Sequence, residues 1–418
     1  MSRRSPILPL VLLILVGLVS TLRADTSESD RGDRPADVRV FQQAWDLVRR
    51  NFVDRRMNGV HWATMRVKYG KQAVEAKTQR ELHDIIIAML GELKASHLTL
   101  VEADVFEEHI KAELANQRVP TFGLELVMRR EGLFVAAVVD GSAAHLADLR
   151  RGDRILTIDR VEPNTSPRLR PAGSDPGLGG PVGYVISPDG PVRLHIERRP
   201  EAGEKGVFIT TLRPYRWNMV AGSSYSTRVL DVRGTKLGYM HLWHLGNIRI
   251  VSDLENAMLS DFAECDGLVL DLRGRGGTPD NVQAVLRLFR ANQPFGPRWT
   301  RPVVALIDGG SRSAKEVLAF HLKRLDHVTL VGERTAGAVL GARFFKLYDN
   351  AQLMIPTTDM RTLTYGISLE GKGVGPDVEV KDELPWADGR DPIFEQGVET
   401  LYWSLRERLK KTCASGCY

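Results

Sequence analysis

A chain of 418 residues is long enough for two or three domains with a sizeable hydrophobic core, which excludes a small disulfide-held scaffold. Hydrophobic residues make up 43% of the chain and charged residues 26%, a balance typical of globular proteins and not of disordered ones. The net charge of +5 falls to +2 without Arg3, Arg4 and Arg23, and no basic block carries interleaved aromatic residues, so nucleic-acid binding is not expected.

Residues 1–24 have the pattern of a targeting segment. Arg3 and Arg4 precede the apolar stretch Ile7–Val19, and Ala24 precedes a polar stretch. The apolar stretch is short for a membrane span, so we predict a signal peptide and a periplasmic or secreted protein, anchored to the membrane if the segment is not cleaved. Residues 25–37 are predicted to form a disordered linker.

The cysteines are too few for a disulfide framework. There are three of them, and Cys413 and Cys417 in the tail could pair in an oxidising compartment, whereas Cys265 is expected at the start of a buried strand. No group of residues has metal-ligand spacing, so no metal or other cofactor is expected.

Residues 38–117 are predicted to form an N-terminal helical part. A first amphipathic helix is indicated by apolar residues at helical spacing, namely Val38, Phe41, Trp45, Val48 and Phe52. The spacing Thr78-x-x-Glu81 is typical of a capping box that opens a second helix. That helix is predicted to end just before Ser96 and His97.

A β-rich region is predicted over residues 118–200. Strands are expected over Phe122–Met128, Leu133–Val139, Ile155–Ile158 and Val192–Glu197, with a short helix over Ser142–Leu149. The stretch Pro163–Gly183 is rich in Pro and Gly and predicts no helix. Arg198–Gly206 is predicted to be a linker.

Strands and helices alternate over residues 207–400, which indicates an α/β layer structure followed by a tail over 401–418. Val303–Ile307 is predicted to be a buried strand, Asp308–Gly310 a turn, and a helix opens near Ser313. Ser313 would lie beside unpaired N–H groups at the positive end of the helix dipole, the geometry of a nucleophile elbow. Simple capping of the helix by Ser311 or Ser313 is the alternative.

Five segments, in order along the chain, resemble those of the C-terminal processing (tail-specific) serine peptidases, a family that includes the tricorn core. They are GSAAHLADLRRGDRILTID (141–159), LVLDLRGRGG (268–277), GGSRSAKE (309–316), LVGERTAG (330–337) and EGKGVGPDVEV (370–380). The resemblance implies an α+β multidomain protein with an N-terminal helical segment, an inserted PDZ-like β-domain and an α/β catalytic core of the ClpP/crotonase-like layered type. It also implies peptide binding at Thr121, Phe122, Gly123 and Leu124.

The same resemblance suggests the catalytic residues. Ala338 stands where most family members have a lysine base, and alanine cannot accept a proton. The tricorn branch uses a histidine instead, after a serine and with a late glutamate. The matching residues here are Ser313 as nucleophile, His97 as base, and Ser96 and Glu370 as the groups that orient it.

The resemblance further implies an oxyanion hole formed by the N–H groups of Gly277 and Ala314. His241 or His244 could replace His97 as the base. Lys315 is expected to point away from the nucleophile, and Asp271 and Arg273 are expected to form a structural ion pair beneath the glycine-rich turn. That turn fits neither a P-loop nor a dinucleotide fingerprint.

These residues lead us to expect an exported serine peptidase that cleaves polypeptides. Whether it cleaves near their C-termini, and whether it forms oligomers, is left open. The alternative is an inactive PDZ-containing member that binds polypeptides or acts as a scaffold. A more distant alternative is an α/β domain that binds an apolar ligand.

Overall fold

The structure, a computed structural model, describes residues 36–175, 180–290 and 298–415. The predicted signal peptide, most of the predicted linker and Cys417 lie outside these residues. Within them the protein is a mixed helix and sheet structure, which confirms the general fold class.

Three helices form the N-terminal part: α1 (Val38–Asn51), α2 (Trp62–Glu75) and α3 (Gln79–Gly91). The predicted cap at Thr78 is confirmed, because Thr78 Oγ1 accepts a hydrogen bond from Glu81 N at 3.2 Å; the reciprocal bond of a capping box differs, since the Glu81 carboxylate accepts from Lys77 N at 2.7 Å. The sequence prediction missed α2. This helix packs on α1 through Trp45 and Trp62, each of whose indole N–H groups donates to the other residue's carbonyl, at 3.0 and 3.1 Å.

The chain then enters short elements: β1 (Thr99–Val101), α4 (Ala103–Val105) and α5 (Ala112–Leu114), the two helices being joined by a π-helical stretch, Phe106–Lys111.

A seven-stranded antiparallel sheet follows, in the order β6-β7-β3-β4-β5-β8-β9. Its strands are β3 (Leu124–Arg129), β4 (Gly132–Val138), β5 (Arg154–Ile158), β6 (Leu169–Asp175), β7 (Gly180–Ile186), β8 (Val192–Glu197) and β9 (Val207–Leu212). Helix α6 (Ala143–Leu146) lies between β4 and β5, while β2 (Val119–Thr121) pairs outside this sheet with β10 (Tyr215–Trp217).

Two features of this sheet differ from the sequence-based expectations. The sheet extends to Leu212, beyond the boundary predicted at residue 200, because β8 and β9 pair along their whole length. The predicted linker between them is a 3₁₀ helix, Pro200–Gly206. The Pro- and Gly-rich stretch is, as predicted, not a long helix; it contributes the hairpin β6–β7.

The C-terminal half is built on a six-stranded sheet in the order β11-β12-β13-β14-β15-β18. Its strands are β11 (Arg228–Val232), β12 (Thr235–His241), β13 (Gly267–Asp271), β14 (Val303–Ile307), β15 (Val328–Gly332) and β18 (Val378–Glu379). Strands β12 to β18 run parallel in this order, and β11 is antiparallel to β12.

Helices cover both faces of this sheet, which explains why its central strands are apolar throughout. The helices are α7 (Met219–Ser226), α8 (Arg249–Leu259), α9 (Pro279–Phe289), α10 (Ala314–Leu322) and α11 (Pro392–Ser415). Helices α8, α9 and α10 share one core with the sheet, and α11 packs on the opposite face. The predicted alternation of strands and helices is confirmed.

A smaller sheet, β1-β17-β16, joins the two ends of the chain. It contains β16 (Gly341–Lys346) and β17 (Gln352–Thr358), and it shares a hydrophobic core with α1 and α3. The segment before the inserted sheet is thereby fixed against the segment after the nucleophile region. No helix in the described part of the chain has the length and apolarity needed to cross a membrane.

His83 links the segment before the inserted sheet to the segment after the nucleophile region through two carboxylate contacts. These contacts make the stability of the protein depend on pH. Its Nδ1 lies 2.6 Å from Glu102 Oε1, and its Nε2 lies 2.5 Å from Asp349 Oδ2. Burial alone would lower the pKa of His83, but the hydrogen bonds to Asp349 and Glu102 outweigh it and raise the pKa to about 9. A raised pKa means that the stabilisation is complete below pH 6.5 and is lost as the pH rises through about 9.

We therefore expect the protein to lose about 1–3 kcal/mol of unfolding free energy between pH 6.5 and 9.5 through this residue. Urea unfolding at several pH values measures it. His83→Gln should be less stable at pH 6.5 and should lack this slope, whereas the exposed control His61→Gln should keep it. An unchanged slope in His83→Gln would contradict the assignment.

Candidate active site

Ser313 lies at a sharp, strained turn between strand β14 and helix α10. Its backbone has φ 57° and ψ −124°, and α10 begins at the next residue, Ala314. A positive φ in a non-glycine residue costs about 1–3 kcal/mol and is typical of functional turns. Ser311, in contrast, is buried, and its hydroxyl donates to Leu272 O at 3.0 Å. The structure therefore gives Ser311 a structural role and leaves Ser313 at the elbow.

Glu316, which the sequence analysis did not single out, holds this elbow in place. Its buried carboxylate accepts hydrogen bonds from Thr335 Oγ1 at 2.6 Å, Gly337 N at 2.7 Å and Ala338 N at 2.8 Å. It also accepts one from Ser313 N at 3.2 Å. The spacing Ser313-x-x-Glu316 is that of a capping box, so it offered a signal in the sequence.

Ser96 and its neighbour His97 form one hydrogen-bonded chain with Glu370, which is distant in sequence. Ser96 Oγ lies 2.9 Å from His97 Nδ1 and donates to Glu370 Oε2 at 2.9 Å. Glu370 also accepts from Ser96 N at 2.9 Å and from Val339 N at 2.8 Å. Glu370 is connected to the imidazole through the Ser96 hydroxyl and has no direct hydrogen bond to it among the described residues, a question that the sequence left open.

The His97 imidazole is held in its neutral form. Its desolvation lowers the pKa of His97 to about 3, and the positive charge of Arg312 acts in the same direction. With Nδ1 engaged by Ser96, Nε2 is the nitrogen left for another partner. The backbone of His97 has φ 58°, a second strained position in the same site.

Short contacts connect this chain to the elbow. Ser313 N donates to Ala338 O at 2.8 Å, and the next residue, Val339, donates to Glu370. Within the described residues no hydrogen bond joins the His97 ring to Ser313 Oγ directly. In structures without substrate, hydrogen bonds between a base and a hydroxyl that react together are often long and shorten only when substrate binds.

The turn after strand β13 lies directly against Ser313. A Cβ atom at Gly276 would lie 2.6 Å from Ser313 Cβ and 3.3 Å from Ser313 Oγ, so only glycine fits there. Gly276 O accepts from Leu245 N at 2.9 Å, and Thr278 N donates to Leu245 O at 3.0 Å. Because the peptide bond is trans, the N–H of Gly277 points away from Leu245.

Two N–H groups near Ser313 are free of internal partners. Neither Gly277 N nor Ala314 N has a hydrogen-bond acceptor among the described residues. Ala314 is the first residue of α10, where an N–H group has no acceptor within the helix. The structure thus brings the two predicted donors to the region of Ser313, with their N–H groups unused.

An ion-pair network supports this turn from below, as the sequence analysis suggested for Asp271 and Arg273. Arg273 contacts the fully buried Asp271 at 2.6 Å and Asp391 at 2.7 Å. Burial opposes the ionisation of Asp271, but Arg273 holds the pKa of that carboxyl below its ordinary value. Asp391 lies just before α11, so the network joins the turn to the C-terminal helix.

The alternative bases are engaged elsewhere. His241 Nε2 lies 3.0 Å from Arg273 O, and the ring stacks on Trp243 with centroids 3.7 Å apart. His244 Nδ1 accepts from Gly246 N at 3.1 Å. Ala338, at the position of the family's lysine, is fully buried and contributes only backbone hydrogen bonds. Of the histidines considered, His97 is the one in the chain with Ser96 and Glu370.

The predicted peptide-binding loop is largely satisfied by its own contacts. Gly123 N donates to Thr121 Oγ1 at 3.1 Å, and Phe122 is 3% exposed. Leu124 begins β3, which has β4 on one side and β7 on the other, where Leu126 pairs with Tyr184. The edge to which a peptide would add as a strand therefore already has a neighbour from the same chain.

No group of three or more His, Cys, Asp or Glu side chains in the described ranges is arranged to hold a metal ion. The polar groups that the described residues bring together here are a hydroxyl, an imidazole and backbone N–H groups.

Comparison with known proteins agrees with this arrangement. Residues 236–380 match the model of peptidase family S41, and residues 39–91 match the model of the tricorn protease C1 domain. The chain is 27% identical over 398 residues to tricorn protease homolog 1 of Streptomyces coelicolor, covering 89% of this chain and 36% of that protein. It is 26% identical over 377 residues to the carboxyl-terminal-processing protease of Synechocystis, covering 83% of this chain and 81% of that protein.

Solved structures share the fold. The photosystem II D1 C-terminal processing protease matches with a TM-score of 0.52 and 22% identity, over 82% of this chain and 93% of that one. The tricorn protease matches with a TM-score of 0.51 and 20% identity, over 88% of this chain and 37% of that one. The chain thus spans about a third of the length of the tricorn proteins and most of the length of the processing proteases. Over residues 236–380 the chain is thus similar to peptidase family S41, and along most of its length it resembles both the tricorn proteases and the carboxyl-terminal-processing proteases.

Proposed function

We propose that this protein is a serine peptidase that hydrolyses peptide bonds in polypeptides through an acyl-enzyme intermediate. The observation that carries the proposal is the hydrogen-bonded chain from Glu370 through Ser96 to His97, adjoining the strained Ser313. A neutral imidazole oriented by a polar chain next to an elbow serine is an arrangement suited to acyl transfer.

In the proposed reaction the Ser313 hydroxyl attacks the carbonyl carbon of the scissile bond while His97 Nε2 takes its proton. The carbonyl oxygen becomes an oxyanion that accepts hydrogen bonds from Gly277 N and Ala314 N. The C–N bond then breaks, and His97 returns the proton to the leaving amine. Water, deprotonated by His97, hydrolyses the ester and restores Ser313.

Ser96 and Glu370 act through His97. The Glu370 carboxylate accepts a hydrogen bond from the Ser96 hydroxyl, so the Ser96 oxygen can accept a hydrogen bond from His97 Nδ1–H. This fixes the tautomer that presents Nε2 as the base. It also stabilises the imidazolium that forms during attack.

The domain roles are part of the proposal. We regard the sheet β3–β9 as the PDZ-like insert and the six-stranded sheet with its helices as the ClpP/crotonase-like core. Export by residues 1–24, a periplasmic or secreted location and oligomer formation are proposed on the sequence and the family alone. Peptide capture by Thr121, Phe122, Gly123 and Leu124 is the weaker element, because that loop and its strand are already partnered.

An inactive polypeptide-binding protein is the second candidate. It is favoured by Ala338 in place of the lysine and by the missing direct hydrogen bond between His97 and Ser313 among the described residues.

Covalent labelling separates the two candidates. A fluorophosphonate should label the wild-type protein with one equivalent, and mass spectrometry should place the label on the peptide that contains Ser313. Ser313→Ala should not be labelled, whereas the exposed control Ser260→Ala should be labelled like the wild type. No labelling of folded wild type, or labelling that survives in Ser313→Ala, would overturn the proposed peptidase.

A further inference from the structure

Lys315 is a buried cation with no part in the chain from Glu370 to His97. It lies on α10 two residues after Ser313, and it is 0% exposed. Its Nζ donates to Arg273 O at 2.7 Å and to Trp243 O at 3.0 Å.

Both of these carbonyls belong to segments that hold the turn against Ser313. Arg273 begins the turn that contains Gly276 and Gly277. Trp243 follows β12 and precedes Leu245, which pairs with Gly277. Lys315 thus connects helix α10 to Arg273, at the start of the turn 273–277. It also connects the helix to Trp243, in the segment whose Leu245 pairs with Gly277 at the end of that turn.

The turn needs such a restraint because its backbone is intrinsically adaptable. Gly274 has φ +87°, in the region that glycine adopts freely. Leu245 fixes the far end of the turn by accepting from Thr278 N and donating to Gly276 O. Lys315 and, at 3.0 Å, the His241 ring fix the near end through Arg273 O. With both ends fixed, the Gly276–Gly277 peptide has one orientation.

The energetics indicate a role other than stability. Removing an ammonium from water costs several kcal/mol even after relaxation, and a contact with a carboxylate normally offsets part of this. Among the described residues no carboxylate lies within ion-pair distance of Lys315. The negative charges of Asp271, Asp308 and Glu125 favour the charged form from a longer distance, and the direct hydrogen bonds of the ammonium go to the two carbonyls.

We infer that Lys315 is a positioning residue for the oxyanion hole: it holds the turn 273–277 in register with helix α10, so that the N–H groups of Gly277 and Ala314 converge on one point. This inference rests on the proposed peptidase function. It assigns Lys315 no contact with substrate.

The test is Lys315→Met, which keeps the length of the side chain and removes its donors. We expect the second-order rate constant for phosphonylation of Ser313 by a fluorophosphonate to fall about 10- to 100-fold, because one oxyanion donor is misplaced. The KM for a p-nitrophenyl ester should change less than about 2-fold, since ground-state binding does not use the hole. The control is Lys323→Met, a surface lysine at the end of the same helix, which should behave as the wild type.

All variants are compared at a temperature where circular dichroism shows them folded. If Lys315→Met does not fold, Lys315→Gln, which keeps one amide donor, takes its place and should show an intermediate loss. A rate constant within about 3-fold of wild type, or a KM that rises in proportion to the loss, would refute the positioning role. An unreactive wild type would instead refute the peptidase proposal itself.

Discussion

Replacing His97 by alanine is expected to lower the rate of phosphonylation of Ser313, and kcat/KM for any cleaved peptide, by about 10⁴-fold or more. A serine hydroxyl is a weak nucleophile near neutral pH, and the chain from Glu370 through Ser96 orients His97 to accept its proton. The loss should appear in kcat, because the imidazole acts in the transition state and not in substrate binding.

The exposed His145, which lies in the short helix α6 of the inserted-sheet region, provides the control. His145→Ala should react at the wild-type rate. If His97→Ala reacts within about 10-fold of wild type while Ser313→Ala is inert, another base serves the nucleophile, and His241 and His244 become the candidates.

The pH dependence of the phosphonylation rate independently tests the protonation state of His97. Because desolvation and Arg312 lower the pKa of His97 to about 3, the imidazole is neutral and able to accept a proton throughout the range from pH 5 to 8. The rate of phosphonylation should therefore lack an acid limb near pH 6.5. A bell-shaped profile with an acid limb at the ordinary value for histidine would contradict this environment.

Substituting alanine for Gly276 should lower the phosphonylation rate constant by about 10²- to 10³-fold. The added methyl carbon would lie 2.6 Å from Ser313 Cβ and 3.0 Å from Arg312 O, distances at which the turn and the elbow must separate. That separation misplaces Gly277 N, one of the two proposed oxyanion donors. The backbone at Gly276 does not have a positive φ, so the effect comes from steric contact alone.

Gly309 offers a matched control within the same elbow. A Cβ there meets nothing within 4 Å, and its φ is not positive. Gly309→Ala should retain wild-type reactivity and thermal stability. Equal reactivity of Gly276→Ala and Gly309→Ala in a kinetic labelling assay would show that the turn 273–277 does not serve Ser313.

The strands and caps of this fold were readable from local patterns. Val303–Ile307 is apolar throughout because helices cover both faces of its sheet, and Thr78-x-x-Glu81 satisfies the first N–H groups of α3. Helix α2 was missed because it presents a weak apolar stripe: it buries Trp62 and Tyr69 but exposes Val67 and Val74. The boundary at residue 200 was misplaced because the composition of residues 198–206 indicates a linker and does not show that β9, which follows it, pairs with β8.

Fewer residues of the candidate site could be predicted from local sequence patterns. A strand, a turn and a helix placed Ser313 at an elbow or a helix cap, and family resemblance selected it as the candidate nucleophile. His97, Ser96 and Glu370 were selected through the same resemblance, since each alone is an ordinary polar residue. Glu316 was signalled by the capping-box spacing and was overlooked. For Lys315 the sequence predicted only the direction of the side chain relative to Ser313 on the helix. It could not show that the turn 273–277 packs against Lys315, because that contact depends on the tertiary structure.

The wide separation of the paired residues has a consequence during synthesis. Ser96 and Glu370 are 274 positions apart, so a chain still attached to the ribosome possesses its base long before the carboxylate that orients it has been made. Under the proposed function, hydrolytic competence can arise only after residue 370 has emerged and folded against the N-terminal helices. Until then a nascent copy lacks the complete chain from Glu370 to His97.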